Sequence, residues 1–270
     1  MADIPTEDEI GSEKPSGASE KLRIKALGPA AEGFGKEIAP LGPATGRLLK
    51  NAGMGVISII EQFGPRCKQA MDWLNHRVDE LLNNVPEEKI VSPDPRIVGP
   101  MVLDLGFAID EESIREMYAK LASADMTADT KSLAHPSFVE IIKQMTPTDT
   151  KVLGALSRVE GIYEVRHKLP NGGMFELARV PNIEIEKVDD SQILLSISNL
   201  ERLGLVKTDG NRHPTTMSEG HDALRKQYEP VLESLRHLPQ YKDGTLSIGN
   251  IGVFMTPIGE QFKYVCLRAS

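Results

Sequence analysis

SIREMYAKLASADMTADTKSLAHPSFVEIIKQMTPTDTKVL, residues 113–153, predicts two amphipathic helices, a polar loop between them and the start of a third helix. In the first helix Ile114, Met117, Tyr118 and Leu121 recur at helical spacing and form one apolar stripe. Acids at Asp110, Glu111 and Glu112 precede that stripe. They favour the positive end of a helix dipole, with Asp110 expected as the N-cap. His135-Pro136 opens the second helix, because proline is tolerated in a first turn, and Phe138, Ile141, Ile142 and Met145 point inward. Thr146-Pro147-Thr148-Asp149 then stops this helix and starts the next, with Thr148-Asp149 as its expected cap and Val152, Leu153 and Leu156 along it. The stretch contains no recognisable catalytic motif.

Upstream, residues 65–84 read as another helix, with Cys67, Met71, Leu74, Val78, Leu81 and Leu82 at helical spacing and Pro65 in the first turn. Residues 85–100, VPEEKIVSPDPRIVGP, carry four prolines and predict an extended connector, with a helix starting at Met101. Residues 22–64 are rich in Gly, Ala and Pro yet apolar, and are expected to form short broken helices near 29–39 and 43–62. Residues 1–21 hold six acids against Lys14 and Lys21 and are expected to be a disordered acidic tail.

Downstream the pattern changes. Residues 161–187 mix β-prone runs around the turn signal Pro170-Asn171-Gly172-Gly173. Asp189-Asp190 precedes the helix SQILLSISNLERLG, which Gly204 ends as a left-handed cap. A strand LVKT follows, then the turn Asp209-Gly210 and a polar helix over 218–237. TLSIGNIGVFM reads as strand, with a hairpin expected around Gly249-Asn250, and Thr256-Pro257 opens a last helix with Ile258, Phe262, Val265 and Cys266 on one face. The expected fold is mainly α with a small α+β part: a helical N-terminal region followed by a winged-helix-like C-terminal domain. The expected divisions are an acidic tail 1–21, a Gly/Pro-rich helical segment 22–84, a helical core 85–147 and the winged-helix-like domain 148–270.

Composition narrows the function classes. The chain has 270 residues, a formal net charge of −8 and only 5% aromatic residues, so base stacking along a single strand is disfavoured. Two isolated cysteines, Cys67 and Cys266, fit a reducing cytoplasm and make neither a disulfide framework nor a zinc site. The N-terminus has no apolar signal-peptide core, and no run of 18 apolar residues exists. The six histidines show no metal-ligand spacing, and the glycines form no phosphate-binding loop, so no metal or cofactor is expected.

Several pieces together, PEEKIVSPDPRIVGPMVLDLGFAIDEESIREMYAKLASADM, HPSFVEIIKQMTPTD, SNLERLGLV and TPIGEQFKYVCL, resemble the abortive infection alpha (Abi-alpha) family, a bacterial domain of unknown function. The likeness covers residues 85–268, and LGPATGRLLKNAGMG, at 41–55, fits more loosely. YAKLASAD, at 118–125, is one leucine shorter than the usual pattern. The resemblance implies a prokaryotic cytoplasmic protein with a role in abortive infection or phage defence. It implies no characterised reaction and supplies no catalytic residues.

The candidate residues follow from these readings. Asp125 and His135 could form a polar pair, since a carboxylate can orient an imidazole as a general base. Gln192, Asn199, Arg202 and Lys207 are the possible nucleic-acid contacts of a winged helix, with Arg212, Arg225 and Lys226 as phosphate contacts. That helix is poor in cations, so nucleic acid is the less favoured partner. Glu111, Glu112 and Glu116 read as a solvated first turn. Leu48, Leu49, Ile57 and Ile60 are the expected interaction surface, for a protein partner or a second copy of the chain. Residues 26–64, with Gly42 and Gly46 spaced for close helix packing, could instead meet a membrane. The expectation is a non-enzymatic, cytoplasmic, oligomeric protein.

Overall fold

A computed structural model describes residues 65–157, 159–210, 228–230 and 232–268. The acidic tail, residues 22–64 of the Gly/Pro-rich segment with Leu48, Leu49, Ile57 and Ile60, and the cations Arg212, Arg225 and Lys226 lie outside the described residues.

The protein is mainly helical with a small antiparallel sheet. In chain order the elements are α1 (Pro65–Leu82), α2 (Pro95–Ala108), α3 (Glu112–Asp125), α4 (Ser137–Lys143), α5 (Pro147–Ala155), β1 (Val159–Lys168), β2 (Met174–Pro181), α6 (Asp190–Arg202), β3 (Val206–Asp209), β4 (Thr245–Met255) and α7 (Pro257–Cys266). Residues 228–230 and 232–236 are also helical.

The apolar stripes are buried as their spacing demands. Ile114, Met117, Tyr118 and Leu121 of α3, Phe138, Ile141 and Ile142 of α4, and Met71, Leu74, Val78 and Leu82 of α1 are all in the core. One buried cluster runs from Ala70 to Cys266, so residues on both sides of position 148 share it. Phe138 meets Phe262 edge-to-face with centroids 5.1 Å apart, joining α4 to α7. Such a pair is worth about 1 kcal/mol beyond its buried area. Ile258 is the exception on α7: it is exposed, one turn ahead of the buried Phe262 and at the solvent end of the helix.

Four local expectations need correction. Residues 95–100 are helical, because the Asp94 side chain accepts from Arg96 N and Pro95 sits in the first turn, so α2 starts six residues earlier than Met101. Pro100 lies inside that helix, at the position where its missing N–H costs one intrahelical bond. Asp110 does not cap α3; Glu111 takes that position and makes no side-chain cap bond. Asp110 instead pairs with Arg66 of α1. At α5 the N-cap is Thr146, forming a capping box with Asp149 three residues on. No hairpin forms at Gly249-Asn250. Both residues continue β4, paired to Glu164 and Tyr163 of β1, and this long pairing outweighs the local turn signal.

The sheet order is β2-β1-β4-β3, all antiparallel. β1 and β2 form the hairpin expected from Pro170 to Gly173, with Gly172 at φ 85. A bulge between Val165 and Arg166 breaks its register. α6 is capped by Asp189 through a capping box with Gln192, and Gly204 at φ 75 terminates it as expected. Thr256 then binds α7 to that terminus: its hydroxyl accepts from Gly259 N and donates to Gly204 O at 2.6 Å, while its N–H donates to Leu205 O.

No helix among the described residues is long and apolar enough to cross a membrane.

Candidate functional site

α7 is the clamp of the helical part. Gln261 Nε2 donates to Leu133 O at 2.7 Å, and Lys263 Nζ donates to Gly154 O and Leu156 O at the end of α5. This placement leaves a cleft of about 400 Å³ between α1, α3 and α7. Its cations are Arg77 from α1, Lys120 from α3 and Arg268 just past α7, and Asn84, Ser123 and Tyr264 add polar groups to the wall.

The three cations differ in how they are held. Arg77 donates from Nε to both oxygens of Glu116 at 3.0 and 3.1 Å and from Nη1 to Glu80 at 2.6 Å. It therefore ties α1 to α3, and these contacts hold its guanidinium above its ordinary range. Lys120 is half-buried, and burial pushes its ammonium below the usual lysine range, opposed by the Glu116 carboxylate and assisted by Arg77 and Arg268. Arg268 lies 5.0 Å over the Tyr264 ring and donates to the Tyr264 hydroxyl at 3.0 Å. A second, more apolar cleft of about 670 Å³, lined by Leu156, Met255 and Leu267, meets the first at Tyr264 and Arg268.

The residues nominated from sequence are mostly occupied by the fold itself. Asp125 is 1% exposed, and its carboxylate accepts from Asp94 N at 2.6 Å and from Lys131 Nζ at 3.4 Å. Burial pushes this carboxyl up, while those two partners pull it back. His135 is exposed, and its Nδ1 engages the Ser137 hydroxyl and accepts from Ser137 N, opening α4. The two residues thus have separate partners: Asp125 fastens the 90–94 connector, and His135 serves a helix start. Glu116 has a use beyond a solvated turn, because it pairs with Arg77 across helices.

On α6, Gln192 Oε1 accepts from Asp189 N in the capping box. Asn199 Nδ2 donates to Gln144 O at 3.2 Å and to Asp149 Oδ2 at 3.0 Å. Arg202 donates from Nε and Nη2 to Asn199 Oδ1 and from Nη1 to Gln144 Oε1. Asn199 thus ties α6 to Asp149 of α5, and Asn199 and Arg202 tie it to Gln144 at the end of α4. Lys207 is exposed on β3.

Sequence reasoning missed Lys120 and Arg268. Lys120 lies between the buried Ala119 and Leu121 and reads as an edge position of α3, and Arg268 reads as a chain-end cation. The cleft exists only where α1, α3 and α7 converge, and no local spacing announces it.

Among the described residues no group of three His, Cys, Asp or Glu is placed to hold a metal ion. Cys67 and Cys266 are both buried, and burial pushes the Cys266 thiol far up, so neither presents a reactive thiolate.

Among solved structures, an uncharacterised protein from the hydrocarbon-degrading marine bacterium Alcanivorax borkumensis SK2 is similar at 17% identity and a TM-score of 0.31. The match spans 52% of this chain and 96% of that one. No curated protein matches the chain. The abortive infection alpha family model matches residues 67–266, which takes in every helix and strand from α1 to α7 except the first two residues of α1. The chain belongs to the abortive infection alpha family.

Proposed function

We propose that the protein serves in abortive infection, the phage-defence response for which its family is named, and that it acts by binding protein rather than by catalysis. The observation that carries this reading is the exposure of large apolar side chains on helices whose inner faces are already packed. Phe107 of α2 is 75% exposed and Leu195 of α6 is 72% exposed. A hydrophobic side chain held in water gains free energy when a partner covers it, about 2 kcal/mol for full burial of a Leu or Phe. The buried carboxylates support the non-catalytic half of the reading. Asp125, Asp149 and Glu164 are each engaged by hydrogen-bond or ion-pair partners within the fold.

The partner favoured here is a second copy of the chain, in the cytoplasm and with no cofactor. The order α6, β3, β4, α7 supports a winged-helix-like reading of residues 148–270, with the β1–β2 hairpin as an insertion. Such a module can present an apolar helix face to another protein.

Size-exclusion chromatography with light scattering tests the assembly. The full chain is expected at a multiple of 29.6 kDa, and Phe107→Asp or Leu195→Asp shifts it to one chain. A wild-type protein at the mass of one chain across micromolar concentrations overturns self-association.

A further inference from the structure

We propose that the cleft between α1, α3 and α7 binds a phosphate-bearing small molecule, with Lys120 and Arg268 as the groups that hold its phosphate. The charges are the first argument. Arg77 is neutralised by Glu80 and Glu116, whereas among the described residues neither Lys120 nor Arg268 makes an ion pair. A half-buried ammonium with no ion pair of its own is costly, the Glu116 carboxylate beside it being held by Arg77, and an anion entering the cleft offsets that cost. Burial and the neighbouring guanidinium groups of Arg77 and Arg268 already disfavour the Lys120 charge, as its lowered pKa records.

The second argument is chemical fit. Lys120 and Arg268, neither of them in an ion pair, line one pocket with the Ser123 hydroxyl and the Asn84 amide, the Glu80 carboxylate in the same wall being held by Arg77, and a multi-oxygen dianion such as phosphate uses several donors at once. Arg268 also keeps a planar, forked set of donors at the rim. The third argument is size and polarity. The cleft, about 400 Å³, is in the small-ligand range. It shares Tyr264 and Arg268 with the second cleft, whose walls carry Leu156, Met255 and Leu267 beside Glu260 and Lys263. A ligand with a phosphate at one end and a flat or apolar group at the other matches both parts. The site lies on α1, α3 and α7, whereas the proposed contact residues Phe107 and Leu195 lie on α2 and α6, so ligand binding and self-association can fail separately.

Isothermal titration calorimetry on the full chain tests the site with three probes: AMP, inorganic pyrophosphate and adenosine. AMP and pyrophosphate are expected to bind saturably, and adenosine is expected to give no signal. Lys120→Gln and Arg268→Gln should each weaken AMP by about tenfold. Arg268 is exposed, so its replacement leaves folding intact, and Lys120→Gln removes a half-buried charge and should not lower the melting temperature. Absence of saturable binding by AMP and pyrophosphate at millimolar concentration overturns the proposal. So does unchanged AMP affinity in both variants.

Discussion

Replacing Asp149 by alanine should unfasten α5 from α6. Asp149 is 2% exposed and its Oδ2 is a shared acceptor. It takes hydrogen bonds from Thr146 N at 2.7 Å, from Thr146 Oγ1 at 2.9 Å and from Asn199 Nδ2 at 3.0 Å. Loss of the capping box costs about 1 kcal/mol. Asn199 Nδ2 keeps its bond to Gln144 O, and the N–H that loses Asp149, in a part-buried site, adds about 1–2 kcal/mol because it does not recover its bond to water in full. Asp149→Ala is therefore expected to lose about 2–3 kcal/mol. For a chain of this length that lowers the melting temperature by roughly 4–12 °C. The cycle with Asn199→Ala sharpens the test. The two side chains touch, so their effects should fall short of additivity by about 1 kcal/mol in urea unfolding. A loss below about 0.5 kcal/mol for Asp149→Ala, or strict additivity in the double variant, refutes the claim that Asn199 belongs to the α5–α6 junction.

Three further outcomes follow from particular positions. A Cβ on Gly259 would collide with the Leu205 carbonyl and approach the Met255 sulfur, so Gly259→Ala should cost about 2 kcal/mol in thermal unfolding. Gly154 has nothing within 4 Å of the same position, so Gly154→Ala should instead gain about 0.5–1 kcal/mol as a better helix former. The Asp125 carboxyl is raised by burial, so above the ordinary aspartate range of about 4 the folded state holds a proton that the unfolded state has lost. Stability from this group therefore falls as pH rises through the raised value. In urea titrations at acid and at neutral pH, Asp125→Asn should compare better with wild type at neutral pH. The opposite trend would mean that Lys131 and the Asp94 N–H dominate.

Much of the helical part was legible because its signals are local. Pro65 in a first turn, Asp189-Asp190, Gly204, and Thr256-Pro257 each mark a boundary through backbone sterics or a cap, and all four stand where expected. The failures came where distant chain competes with local preference. The prolines of 85–100 argue for extended chain, yet Asp94 caps a helix through Arg96 N and the turn survives Pro100 by burying Ile97, Val98 and Met101. Gly249-Asn250 signals a turn, yet β1 supplies partners on both sides of it. The partners of the nominated polar residues were hidden for a related reason. Asn199 and Arg202 look outward on a helical wheel, but Gln144 and Asp149, some 50 residues earlier, meet them once α5 packs on α6. The Lys120 cleft draws on α1, α3 and α7, and helix periodicity carries no record of that convergence.

The central claim is that defence runs through an apolar contact surface, and phage plating on cells expressing the protein tests it most directly. The wild-type chain should reduce plaque numbers. Leu195→Asp and Phe107→Asp, at equal expression and unchanged melting temperature, should lose that protection. Full protection by both variants would contradict the account.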